Sequence, residues 1–286
     1  MAEDPVLVSG ALGFVAGHVI ERLLARGGPV IAIVRPWRDA ARLEARGIAV
    51  RRADLSRPVG SDVFAGARTF IHLAGMAQAT HWIDAFEASG VERAVFISSA
   101  GVYTKLKSSG AEAKRVAEAR LRRSPLVWTI LRPSMIYGTG LDRNMSRLLR
   151  WLKRWPFVPV PGGGRTMQQP VHVEDLCDAM FAALERPVAA RKEYDLGGPV
   201  ELPLTEVIRA AAAALGKRVL IVPIPLEPAV RTVRLMRRIG LPAPVREEQV
   251  LRLAESKAVD ITDACRDLEF RPRSFDDGIR AEAALL

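Results

Sequence analysis

Val6-Leu7-Val8-Ser9 runs into Gly10-Ala11-Leu12-Gly13-Phe14-Val15-Ala16-Gly17, and a helical pattern from His18 to Arg26 follows at once. No other stretch limits the fold so strongly. An apolar strand feeding a helix through so tight a glycine turn begins a strand–helix–strand unit, and such units build parallel sheets. Gly10 allows the turn, and Gly13 lets the backbone come close to a bound group. The helix start turns unpaired N–H groups and its positive dipole end to the same point, which suits a pyrophosphate. Gly10, Leu12, Gly13, Phe14 and Val15 are the candidate contacts.

The same rhythm continues down the chain. Strand-like runs at Val30–Val34, Ile48–Arg52, Thr69–Leu73, Ala94–Ser98 and Trp128–Leu131 alternate with helical patterns around Arg38–Arg46, Ala79–Ser89 and Ala111–Arg123. Runs such as Val-Ile-Ala-Ile-Val are apolar throughout, as strands covered on both faces must be. The implied architecture is α/β: a Rossmann-like doubly wound parallel sheet in a dinucleotide-binding domain at 1–165, with 166–187 returning to it. A smaller α/β substrate-binding lobe is expected over 188–286. After Pro133 the spacing loosens, and Trp155–Gly164, with its prolines and triple glycine, reads as a long loop. Val171–Val173 reads as a short strand, Val173–Glu185 and Thr205–Leu215 as helices, and Val219–Val222 as a strand.

With 286 residues, 49% of them hydrophobic, the chain can bury a sizeable core. No apolar run reaches the roughly 18 residues a membrane-spanning helix needs. The N-terminus lacks the layout of a signal peptide. Cys177 and Cys265 stand far apart, which points to a reducing cytoplasm and to no metal site. The formal charge is +10, yet only seven of the 42 basic residues are lysines and the arginines are dispersed. That pattern argues for a solvated surface and anionic ligands, not for nucleic acid. Arg231–Ile239 is a basic helical stretch, read as a solvated face capping a lobe, with contact to a membrane as the alternative.

In a sheet of this kind the end of the second strand meets the adenosine ribose, where an acid selects NAD and an arginine accommodates the 2′-phosphate of NADP. Here that end reads Val34-Arg35, with Arg38 close behind and no Asp or Glu. NADP(H) is therefore the favoured cofactor and NAD(H) the alternative. Asp54 and Leu55 follow the third strand and are placed for the adenine. Leu73-Ala74-Gly75 follows the fourth and borders the cofactor.

Taken in order, Ser9–Gly17, Ala53-Asp54-Leu55, His72–Gly75, Phe96–Tyr103, Leu131–Gly138, Gln169–Leu176 and Tyr194–Gly198 resemble the extended and atypical short-chain dehydrogenase/reductases, the NAD(P)-dependent epimerase/dehydratase family. The likeness spans essentially the whole chain. One departure is Ala16 at the usual third glycine, with Gly17 displaced by one.

The resemblance implies a Ser–Tyr–Lys active site, in which the phenol exchanges a proton, the lysine lowers its pKa and holds the ribose, and the serine bonds the reacting oxygen. Ser99 matches the serine. Lys114 matches the lysine of Tyr-x-x-x-Lys-x-x-x-Glu, but the tyrosine position is Gly110. Tyr103 follows the carboxyl end of the fifth strand and is a candidate substitute hydroxyl. Its formal Tyr-x-x-x-Lys with Lys107 falls in a loop, not on one helix face. Pro133 and Ile136 lie where the family lines the nicotinamide. Tyr137, Gln168 and Arg165 are candidate substrate residues, with Gln168 where the family commonly has an Arg. His72 and His172 read as core histidines, Tyr194 as structural, and Glu174-Asp175 as a helix start that links the lobes.

The implied function is an NADP-dependent oxidoreductase, or a nucleotide-sugar epimerase/dehydratase-like enzyme, with a non-standard active site. Its catalytic set is Ser99 and Lys114, with Tyr103, a water or the substrate as proton donor. The substrate would be a small molecule such as a nucleotide sugar or a carbonyl compound. The alternative is a non-catalytic NADP(H)-binding sensor or assembly protein. A homodimer through the helices near Ala79–Ser89 and Ala111–Arg123 is the family habit.

Overall fold

The computed structural model describes residues 4–142, 144–238 and 247–286. Its first half runs β1 (Val6–Ser9), α1 (Phe14–Ala25), β2 (Val30–Val34), α2 (Ala41–Glu44), β3 (Ala49–Arg52), β4 (Thr69–His72), α3 (Ile83–Glu87), β5 (Arg93–Ile97), α4 (Ser109–Arg122) and β6 (Val127–Pro133). Then come β7 (Ile136–Tyr137), α5 (Met145–Arg154), β8 (Phe157–Pro161), β9 (Met167–Gln168), β10 (Val171–His172), α6 (Val173–Glu185) and β11 (Lys192–Leu196). The tail holds β12 (Leu202–Pro203), α7 (Leu204–Ala214), β13 (Leu220–Ile224), α8 (Leu226–Arg238), α9 (Glu247–Arg252), α10 (Thr262–Asp267) and α11 (Phe275–Ala284).

Seven parallel strands form one sheet in the order β11-β6-β5-β4-β1-β2-β3. The doubly wound α/β fold read from the sequence is the fold observed. Successive strand residues point to opposite faces. Val8, Ala32, Val34, Ile71 and Val95 accordingly pack beneath α1 and α6. Leu7, Ile33, Phe70, Ala94 and Phe96 pack on the other side against Trp82, Phe86, Ala117 and Leu121. Two filled layers explain why the strands lack alternation. The strand order reverses at β1, whose carboxyl end carries the glycine turn, so the turn stands at the crevice where such sheets bind ligands.

Several elements differ from the sequence reading. The helix expected over Ala79–Ser89 is a 3-10 stretch, Met76–His81, followed by the short α3. The helix expected at Arg38–Arg46 shrinks to α2. The supposed loop at Trp155–Gly164 contains β8, which pairs in parallel with β13 from Phe157↔Leu220 to Pro161↔Ile224. Proline lacks an N–H, and a two-stranded ribbon leaves outward positions where none is needed. α5 was not foreseen. β11 joins the main sheet beside β6, so the sheet continues past residue 187. Ala264, Leu268 and Phe270 also return to the core beneath α6. The second lobe has its own core of Leu149, Leu152, Val207, Ala211, Phe275 and Ile279 from α5, α7 and α11.

Candidate functional site

The glycine turn closes tightly on the turn after β4. Gly10 has φ +69°, and a Cβ there would stand 2.7 Å from Ala74 N and 2.8 Å from the Leu73 carbonyl carbon. Only glycine fits both the angle and the contact. Leu73 N donates to Ser9 O at 3.2 Å, which fixes Leu73-Ala74-Gly75 alongside. Leu12 and Phe14 remain exposed while Val15 anchors α1 in the core. The N-cap Gly13 offers no side-chain bond, and no acid occupies the first turn of α1. The N–H groups there are thus turned to an approaching anion. A dinucleotide fits this cradle.

Arg35 lies just past β2, half exposed, with its Nε 3.8 Å from Asp54 Oδ1. That contact is loose and leaves the guanidinium half exposed. Arg38 is exposed beside it, and its carbonyl accepts from Arg52. Asp54 accepts from the Ser56 N–H and hydroxyl, and these bonds, with Arg35 and Arg57 near, hold its carboxyl below the usual range. Leu55 is buried beneath it. Pro133 ends β6 and Ile136 opens β7, on the far side of the crevice.

Ser99 and Lys114 meet. Ser99 is the residue before the 3-10 turn Ala100–Tyr103, and Lys114 lies on α4; Lys114 Nζ donates to Ser99 Oγ at 2.7 Å. Burial pushes the lysine pKa down, and Arg252 pushes it further, against a smaller upward pull from Glu118. One turn along α4, Glu118 is buried and accepts from Ser98 Oγ at 2.6 Å and from Arg132 Nη2 at 2.6 Å. Arg132 also pairs with Glu193, so this network pins α4 to the ends of β5 and β6. Gly110 stands one turn before Lys114 on the same face of α4. A Cβ there would meet nothing nearer than Ser108 Oγ at 4.0 Å.

Tyr103 does not fill that gap in the way the sequence suggested. Its hydroxyl donates to Asp195 Oδ2 at 2.8 Å and accepts from Arg132 Nη1 at 3.1 Å. Burial and Asp195 push its pKa up to about 12, opposite to what a proton-exchanging phenol needs. It borders a charged groove of about 640 Å³ along α4, lined in part by Glu112, Arg115, Arg122 and Glu193. Neither Ser99, Lys114 nor the glycine turn lines that groove.

Tyr137 is fully buried at the lobe junction, with its ring centroid 5.2 Å from those of His172 and Phe275. Gly278 has no Cβ, so α11 closes directly onto the phenol, and Tyr137 is a core residue that no substrate in solution can reach. Gln168 is also buried, with Nε2 3.4 Å from Thr166 Oγ1, while Arg165 is exposed three residues earlier. His72 is buried and bonded to Ser9 Oγ at 2.7 Å, and burial takes its pKa down to about 4. The His172 side chain accepts from Glu174 N at the start of α6, Glu174 pairs with His18 and Arg22 of α1, and Asp175 pairs with Arg273 at 2.9 Å.

Two residues missed in the sequence reach this region from the tail. Arg252 ends α9, with Nη2 3.4 Å from Ser108 Oγ. Lys257 follows; burial and then Arg252 push its pKa down. Between them, Glu255 accepts from Thr104 Oγ1 at 2.6 Å and from Lys105 N at 2.9 Å, which fastens the tail over the Ser99 turn. Arg252 thus acts on two partly buried lysines, Lys114 and Lys257. Their sequence separation hides this from any motif. Among the described residues no cluster of His, Cys, Asp and Glu is suited to a metal ion. No helix described is long and apolar enough to cross a membrane.

Comparison with known proteins agrees with this geometry. Residues 10–147 match the NAD(P)H-binding family model. The chain is 28% identical to the mitochondrial NADH dehydrogenase [ubiquinone] 1 alpha subcomplex subunit 9 of Arabidopsis thaliana, over 88% of this chain and 68% of that protein. It is 29% identical to a ceramide reductase of Caulobacter vibrioides, over 81% and 76%. Among solved structures, a UDP-glucose 4-epimerase of Thermotoga maritima superposes with TM-score 0.74 at 17% identity, over 98% of this chain and 97% of that one. MoeE5 in complex with UDP-glucose and NAD also reaches 0.74, at 21% identity and the same coverage. Residues 10–147 are thus an NAD(P)H-binding region, and the chain as a whole has the fold of these solved epimerase-like structures.

Proposed function

We propose that the chain is an NADP(H)-dependent oxidoreductase in which Ser99 and Lys114 handle the proton. The observation that carries this reading is the 2.7 Å bond from Lys114 Nζ to Ser99 Oγ beside the crevice. Bound cofactor would supply the hydride. As the carbonyl oxygen of the substrate gains charge, the Ser99 hydroxyl gives it a proton, and the Lys114 ammonium returns one to Ser99. Burial makes that ammonium a stronger acid than a solvated lysine, which is the direction the second transfer needs. Arg35 selects the 2′-phosphate, and Arg252 and Lys257 favour a substrate with an anionic group. A nucleotide sugar and a charged carbonyl compound both meet that demand. Substrate binding is assigned to the cleft between the sheet and the tail, and the protein to the cytoplasm.

The test is NADPH oxidation against a panel of aldehydes, ketones and nucleotide sugars, with Ser99→Ala and Lys114→Met beside the parent. Turnover that the two variants leave unchanged sinks the assignment. A second reading is supported by Gly110, which leaves the proton-donor position open. In that reading the chain binds NADP(H) as a sensor or assembly protein. Calorimetric NADPH binding without turnover across the panel would favour it.

A further inference from the structure

The outward face of the β8–β13 ribbon reverses the usual rule for a half-exposed sheet, which puts polar residues on the solvent side. Phe157, Leu220 and Val222 are 37%, 66% and 38% exposed, and Pro159 lies exposed between them in the paired register. Trp151 and Trp155, 41% and 42% exposed, extend the face from the end of α5. The three aromatic rings pack together, with centroids 6.0–6.3 Å apart, and Trp151 Nε1 donates to Phe157 O at 2.6 Å. The rings are therefore held rigidly outward.

α5 and the two ribbon strands carry charges of one sign, with Glu206 and Glu227 standing just outside the flanking stretch. Residues 144–164 and 207–226, which build α5, β8, β13 and most of α7, contain no Asp or Glu. They carry Arg147, Arg150, Lys153, Arg154, Arg209, Lys217 and Arg218. None of these forms an ion pair among the described residues. Arg154 lies over the Trp155 ring at 5.7 Å, and Lys217 Nζ donates to Leu152 O at 3.1 Å at the end of α5. A second copy of the chain on this face would set cations against cations across a two-fold contact. A bilayer with anionic headgroups answers both features: it attracts the cations and takes up the aromatic and aliphatic side chains at its interface.

We propose that the face formed by Trp151, Trp155, Phe157, Leu220 and Val222 docks on the surface of an anionic lipid bilayer, without crossing it. The inference is independent of the reaction at Ser99. It is tested by co-sedimentation of the full chain with large vesicles of phosphatidylcholine alone, and of equal parts phosphatidylcholine and phosphatidylglycerol. Binding is expected to the mixed vesicles only and to weaken with salt. Trp155→Ala with Leu220→Ser, and separately Lys153→Gln with Arg154→Gln, should each lower partitioning by about an order of magnitude. NADPH binding serves as the folding control. No binding to the mixed vesicles at low salt overturns the proposal, as does binding that both variant pairs leave unchanged. A concentration-dependent dimer that Leu220→Ser dissolves also overturns it, because a second copy would then cover the face.

Discussion

Arg252, at the end of α9, bonds Ser108 Oγ from Nη2 at 3.4 Å, one residue before the helix that carries Gly110 and Lys114. A cation from the tail thereby bears on Lys114 of that helix. Arg252 is the second cause, after burial, of the lowered Lys114 pKa. Arg252→Gln should let that pKa rise part of the way back. The alkaline limb of the pH profile, for turnover or for NADPH binding, should move to higher pH in the variant. An unmoved limb would separate the two residues.

Gly110 invites the reverse experiment. A side chain there enters open space, and glycine in a helix costs about 1 kcal/mol relative to alanine, whereas tyrosine costs about half as much. Gly110→Tyr should fold with an equal or higher Tm. If the chain is an oxidoreductase, a phenol above Lys114 should raise turnover by about a hundredfold. A gain in Tm with no gain in rate would favour the binding-only reading.

The proposed function gives Arg35 the task of holding the 2′-phosphate. A charge-assisted bond to a phosphate contributes about 1.5–3 kcal/mol, so Arg35→Ser should weaken NADPH binding by about tenfold to a hundredfold and leave NADH nearly unchanged. Calorimetry with both nucleotides checks this. An equal loss for the two would assign Arg35 a role other than holding the 2′-phosphate.

Glu282 on α11 is fully buried, and its Oε2 accepts from Gly138 N at 2.9 Å. Burial, and then Asp142, push its pKa up to about 8. The folded state therefore keeps a proton that the unfolded chain gives up near the ordinary carboxylate range. Stability from this group is complete below that range and is lost as pH rises towards about 8. Thermal melts of the parent should fall across that window. Glu282→Gln, a neutral mimic of the protonated acid, should flatten the curve and melt higher at its alkaline end.

The sheet was legible because strands covered on both faces must be apolar at every position, and β1, β2, β4 and β5 are nearly so. Only half of the ribbon was legible: β13 overlaps the strand read at Val219–Val222, whereas Pro159 and Pro161 disguise β8, a strand that needs few backbone donors. β11 was missed for a different reason: its Lys192, Glu193 and Asp195 look like loop residues, yet Glu193 is spent on Arg122 and Arg132 and Asp195 on Tyr103. The Ser99–Lys114 pair followed from local motifs. Arg252 did not, since its meeting with Ser108 joins positions 144 residues apart and depends on the tail folding back.

The return of β11 to the main sheet has a consequence for how the molecule can be divided. The chain leaves the sheet after β6, comes back through α6 and β11, leaves again, and sends Leu268 and Phe270 back once more before α11 closes the second core. The halves are laced together by repeated crossings, not joined at one tether. Cutting the chain at any single point after β6 would strip an edge strand or a buried helix from one half, so neither half is a portable module. Opening and closing around a ligand must be a flexing of several strands of chain at once.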